Sequence, residues 1–160
     1  MRKFYWIAVL TVIVDQIVKW GCLSLTGSVT LIPKVLALTY AENTGMAFSL
    51  FSGRAWLLGV VSALCILAGW LVLRRYKLGR LSRIAAMLML GGAVGNMLDR
   101  FFWGYVVDMF EVLFVEFAIF NVADAALTIG TALMALSLLL FPKEWQENQP
   151  PEGPKKGLRA

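Results

Sequence analysis

Residues 91–126 read GGAVGNMLDRFFWGYVVDMFEVLFVEFAIFNVADAA. This stretch sets Asn96, Asp99, Arg100, Asp108, Asn121 and Asp124 between two long apolar runs. Carboxylates so close to a bilayer are costly to place and costly to desolvate, so an ionisable group there points to a functional site. The apolar runs on either side are long enough to cross a membrane, which takes about 20 residues.

The same pattern recurs along the chain. Membrane spans are expected at about residues 4–25, 56–73, 82–98 and 118–141. Composition agrees: the 160 residues are 59% hydrophobic with a mean hydropathy of +0.73, against about 45–50% for a soluble domain. The first span is too long for a signal peptide, lacks a small-residue cleavage site and carries Asp15, Gln16 and Lys19 in its body. The expectation is an all-α membrane protein with four transmembrane helices, forming a single integral-membrane domain over residues 1–142. Residues 143–160 are polar and proline-rich and are expected to be a disordered cytoplasmic tail.

Two longer loops interrupt the apolar pattern. In the first, Leu31–Ile32 and Val35–Tyr40 are rich in β-formers and predict a small extracytoplasmic sheet between helices 1 and 2, with an ordinary loop and turn as the alternative that this stretch alone favours. Asn43-Thr44-Gly45 is a turn signal, after which Phe48, Leu50 and Phe51 are expected to dip toward lipid. The second loop, from Asp99 to Phe117, is aromatic and acidic, as an interfacial belt would be. Glycines 91, 92 and 95 in the third span are explained by close helix packing alone.

Basic residues set the orientation. They crowd at the N-terminus (Arg2, Lys3), in the middle loop (Arg74, Arg75, Lys77, Arg80, Arg83) and beyond Phe141. The other two loops hold only Lys34, Arg54 and Arg100. Both termini are therefore expected in the cytoplasm, with the two longer loops outside. The formal charge of +5 is accounted for by this topology, and with no basic stripe there is no reason to expect nucleic acid as a partner.

The absence of histidine removes Ser-His-Asp, Cys-His and histidine-bound zinc chemistry. Cys22 and Cys65 lie in apolar surroundings and read as small buried hydrophobes, not as a disulfide or metal pair.

What remains is the acidic constellation. Asn96, Asp99 and Arg100 share a face at the end of span three, and Asn121 and Asp124 share one at the start of span four. If those spans are antiparallel neighbours, Asp108 converges with them at one level. Two aspartates meeting in a half-dry pocket cannot both be ionised cheaply, so one keeps a proton. The charged one takes a proton from water and the neutral one donates to a carbonyl oxygen, which is machinery for amide hydrolysis without metal or covalent intermediate. Arg100 is expected to pair with Asp99, while Asn96 and Asn121 orient the pair or hold substrate backbone. The bland alternative makes Asp99–Arg100 and Asp124–Asn121 capping and packing groups. Asp15 and Lys19, four residues apart, are either a self-neutralising ion pair or an inward-facing support for the site.

These residues fall in stretches that resemble the lipoprotein signal peptidases, the type II signal peptidases of bacteria. The matching stretches are Asp15-Gln16-Ile17-Val18-Lys19, Asn43-Thr44-Gly45-Met46-Ala47-Phe48, Gly91 to Arg100, Val106-Val107-Asp108 and Phe120-Asn121-Val122-Ala123-Asp124. The resemblance implies an aspartic endopeptidase of the bacterial inner membrane that cuts diacylglyceryl-modified prolipoproteins just before the lipidated cysteine. It implies Asp108 and Asp124 as the catalytic pair near the outer face, with Asp15, Asn43, Asn96, Arg100 and Asn121 as supporting or substrate-binding positions. It further implies no metal and no cofactor, inhibition by globomycin-type peptides, and a lid drawn from about residues 51–57. Nothing in the sequence demands more than a monomer. Met46 and Met109 stand where the family implies a small residue and an aromatic one, and the segment between Asp108 and Asp124 is short. Two rivals come from other classes: a lipid-headgroup transferase using clustered aspartates to hold Mg²⁺, and a four-span exporter with Asp15 as proton carrier.

Overall fold

The computed structural model describes residues 2–45 and 53–147. Four long helices carry the chain: α1 (Tyr5–Cys22), α2 (Ala55–Leu73), α3 (Arg80–Phe102) and α4 (Val122–Leu140). All four are long and apolar enough to cross a membrane. At 1.5 Å per residue, the 23 residues of α3 reach about 34 Å, enough for a hydrocarbon core of about 30 Å.

The helices are apolar on the outside and small or polar on the inside. In α1 the buried positions are Ala8, Thr11, Asp15, Lys19 and Cys22, spaced three or four apart so that they form one inward stripe. Trp6, Ile13, Ile17 and Trp20 face outward. α3 sits centrally and packs against the other three helices. Its glycines permit the close approach: a Cβ on Gly91 would meet Thr11 Cβ at 2.7 Å, and one on Gly95 would meet Asp15 Oδ2 at 2.7 Å. Gly92 lies against the Ala123 carbonyl in the same way. The packing role expected of these glycines thus accounts for all three.

Above one end of the bundle lies a three-stranded antiparallel sheet of β1 (Val29–Ile32), β2 (Leu36–Asn43) and β4 (Val106–Val112), in the order β1-β2-β4. The first two strands are the expected hairpin, with β2 running on to Asn43, where the sequence signalled only a turn. The third strand comes from the second long loop, read from sequence as an aromatic belt. Val106, Val107, Asp108 and Met109 are all buried, so this strand lacks the alternation that would have announced it. Gly104 makes the turn into β4 with φ +78°, a left-handed conformation suited to glycine. Its register on β2 pairs Ala41 with Asp108 and Asn43 with Val106.

At the other end, β3 (Tyr76–Lys77) pairs with β5 (Gln146–Glu147), and Tyr76 contacts Trp145 at 5.8 Å between ring centroids. The first residues of the stretch expected as a tail therefore form a turn and a short strand. Residues 148–160, and with them most of that expected tail, lie outside the described residues, as do Met46, Phe48, Leu50 and Phe51. Of the segment expected as a lid, residues 55–57 form the first turn of α2.

Two further expectations are corrected. α3 continues to Phe102, so Asp99 and Arg100 lie in its last turns instead of in the outer loop. Cys22 is buried against Val107 and Met109, but Cys65 is exposed on the outer face of the bundle.

Candidate active site

The site lies where β4 and the first turn of α4 meet the end of α3. Backbone hydrogen bonds between Phe110 and Phe120, at 2.8 and 3.1 Å, tie β4 to the residue preceding the α4 cap. That bridge sets Asn121 beside Asp108: Asn121 Nδ2 donates to Asp108 Oδ1 at 2.6 Å. From the neighbouring strand, Asn43 Nδ2 donates to Asp108 Oδ2 at 3.0 Å. Asn43 is two residues beyond Ala41, the strand partner of Asp108, so the two side chains share a sheet face diagonally.

Asp124 is the third residue of α4. Asn121 Oδ1 accepts from the Asp124 backbone N–H at 2.8 Å, and Asp124 Oδ2 accepts from the Asn121 N–H at 3.3 Å. This is a reciprocal capping box, so the capping reading of the Asn121–Asp124 pair is correct as far as it goes. It leaves Asp124 Oδ1, which accepts from Asn96 Nδ2 at 2.7 Å. Asn121 Nδ2 also donates to Asn96 Oδ1 at 3.1 Å. Asp108 and Asp124 are therefore linked by two asparagine amides, and Asn121 bonds to both carboxyl groups.

Behind this layer lies a buried charge cluster. Lys19 Nζ is 2.7 Å from Asp15 Oδ2, 2.8 Å from Asp99 Oδ2 and 3.0 Å from Asn96 Oδ1. Asp15 Oδ1 accepts from the Ala123 N–H of α4 at 2.8 Å, and Asp99 Oδ1 from Gln16 Nε2 at 2.8 Å. Both readings of the Asp15–Lys19 pair hold at once: the ion pair exists, and it faces inward under the site. The expected Arg100–Asp99 pair does not form, because Lys19 and Gln16 occupy Asp99. Arg100 instead donates to the carbonyls of Asn96 at 3.2 Å and Gly45 at 3.3 Å, clamping the end of β2 to α3. Among the described residues no three acidic or thiol side chains converge as a metal cage requires, and the centre between Asp15 and Asp99 holds an ammonium.

Of the residues singled out from sequence, Asn43, Asn96, Asp108, Asn121 and Asp124 form one connected group. Asp15 and Arg100 touch it from behind and from the side. Lys19 and Asp99, both read from sequence as near the site, belong to the same assembly, and so does Gln16, which had no such reading. A lysine in mid-span was the available signal.

Asp108 is 3% exposed. Burial lifts its carboxyl from the ordinary 3.8 to about 6. The Asn43 hydrogen bond opposes that rise, the negative charge of Asp124 adds to it, and Asn121 and Lys19 pull it back. A group that changes protonation near neutrality, beside a second carboxylate, suits acid–base chemistry. A cleft of ≈ 970 Å³ opens at this point, lined by Asn43, Gly45, Asp108 and Glu111 together with Phe114 and Phe117. Both Phe114 and Phe117 are well exposed.

The sequence profile of signal peptidase (SPase) II matches residues 7–140. The lipoprotein signal peptidase of Latilactobacillus sakei is 43% identical over 115 residues, covering 71% of this chain and 76% of that protein. That of Geobacillus kaustophilus is 37% identical over 152 residues, covering 91% of this chain and 99% of that one. Two solved structures of bacterial membrane enzymes, obtained by the in meso method, superpose with TM-scores of 0.82 and 0.79. They are 29% and 30% identical, cover 94% and 88% of this chain, and are each covered to 95%.

Proposed function

The chain belongs to the signal peptidase II family, a family of multi-pass membrane aspartic peptidases that process lipidated prolipoproteins, and we propose that Asp108 and Asp124 are its catalytic pair. The observation that carries this reading is Asn121, whose side chain holds Asp108 while its backbone N–H reaches Asp124. One carboxylate of the pair takes a proton from a water molecule, and that water's oxygen attacks the scissile carbonyl. The other carboxyl gives its proton to the carbonyl oxygen. The tetrahedral intermediate collapses as a proton passes to the leaving amine nitrogen and the C–N bond breaks. Hydrolysis falls just before the diacylglyceryl-modified cysteine. Asn43, Asn96 and Asn121 orient the pair, Arg100 fixes the loop at Gly45, and Asp15 anchors the start of α4.

The basic residues at 74–83 support a topology with both termini in the cytoplasm and the Asp108 end of the bundle outward. A lipidated substrate then arrives by lateral diffusion, with its scissile bond at the depth of the pair. The enzyme works as a monomer, residues 1–142 make up the peptidase domain, and globomycin-type peptides compete for the cleft.

The test is cleavage of a purified, diacylglyceryl-modified precursor in detergent by Asp108→Asn and by Asp124→Asn. Each variant folds and loses cleavage. Wild-type turnover from either one would dispose of the pair. The same assay with EDTA separates the peptidase from the metal-dependent transferase, since only the latter needs a divalent cation.

A further inference from the structure

Lys19 is the buried charge that the proposed reaction leaves unused. It is 2% exposed, and its ammonium has three hydrogens to place. Two face Asp15 and Asp99; the third goes to Asn96 Oδ1. An ion pair serving stability alone would need only the carboxylates. The third bond reaches an amide whose opposite end faces Asp124.

The two ends of an asparagine side chain are alike in shape and opposite in hydrogen-bonding character. A cation against Oδ1 fixes which end is which. With Lys19 and Asn121 both donating to Asn96 Oδ1, Nδ2 has to face Asp124. The Asn96 N–H thereby holds Asp124 Oδ1 at 2.7 Å, while the Asn121 backbone N–H holds Oδ2 at 3.3 Å. If Asn96 turned over, its carbonyl would face Asp124 and the hydrogen bond to Oδ1 would be lost.

We propose that Lys19 is a positioning residue: by locking the Asn96 amide it holds Nδ2 on Asp124 Oδ1 and so fixes that carboxyl in place for the reaction. This rests on the Asp108–Asp124 reading above. The charged groups around Lys19 and the pair are Asp15 from α1, Asp99 and Arg100 from α3, Asp108 from β4 and Asp124 from α4.

The experiment compares Lys19→Met with the double variant Lys19→Met/Asp15→Asn. The double variant removes one positive and one negative charge and so keeps the net charge of the pocket. Expected for each is a kcat lowered by about 10–100-fold with KM within about twofold. A folded double variant with wild-type kcat overturns the proposal, as does a rise in KM alone. Failure of both variants to fold assigns Lys19 a purely structural role and also overturns it. The Asp108→Asn and Asp124→Asn variants run alongside: activity in those defeats the pair itself, whereas their inactivity with normal Lys19 variants defeats this inference only.

Discussion

Removing the Asn43 amide tests how the site sets its proton affinity. Asn43 Nδ2 lies 3.0 Å from Asp108 Oδ2 and is one of the two side-chain donors that oppose the effect of burial on this carboxyl. A hydrogen bond to a charged group is worth about 1.5–3 kcal/mol, and Asn43 is only half-buried, so the low end applies. At 1.36 kcal/mol per pH unit, Asn43→Ala should raise the Asp108 value by about one unit, from about 6 to about 7. The direction follows from which form is favoured: the N–H stabilises the carboxylate, so its loss lets the proton stay to higher pH. The alkaline limb of kcat/KM, where the pair gives up its shared proton, moves upward by that amount. The assay is cleavage of a diacylglyceryl-modified precursor in detergent across pH 5–9, with circular dichroism as the folding control. A folded Asn43→Ala variant whose alkaline limb stays put or moves down would refute the reasoning, because Asn43 would then not be acting on the Asp108 charge.

Two other outcomes follow from the same geometry. The folded-state value of Asp108, about 6, lies above the ordinary 3.8, so its contribution to stability is fully present below about pH 4 and is lost as pH rises through 6. The loss amounts to about 3 kcal/mol at order of magnitude. Thermal unfolding in detergent should therefore show a Tm falling between about pH 4 and pH 7 in the wild type and much less in Asp108→Asn. Gly95→Ala places a methyl 2.7 Å from Asp15 Oδ2 and 3.3 Å from Ala123 Cβ. It should destabilise by about 1–3 kcal/mol, read as a lowered Tm, because α1, α3 and the start of α4 meet there with no slack.

Much of this protein is legible in its sequence because the membrane leaves a chain few options. A backbone in hydrocarbon must satisfy its own hydrogen bonds, so each apolar run of sufficient length becomes a helix. Polar residues that persist in such runs face inward, as Asp15, Lys19, Asn96 and Asp99 do. The hairpin from Val29 to Asn43 was less plain, since its concentrated β-formers also suit an ordinary loop, and the local pairing decided for strands. The strand carrying Asp108 was not open to reading. It is buried along most of its length, its sequence does not alternate, and its partner lies 65 or so residues earlier in the chain.

The sequence by itself determined the four spans, the level at which the acidic groups cluster and the set of residues from which a site could be made. Only the tertiary structure decided the pairings: Asp99 with Lys19 instead of Arg100, Asp124 as both cap and site residue, and Asp108 within reach of Asn43 and Asn121. Hydropathy is a property of each residue against its solvent, so it can be summed along a chain. A hydrogen bond depends on where two groups stand to within a few tenths of an ångström, and that is fixed only when α1, α3, β4 and α4 close on one another.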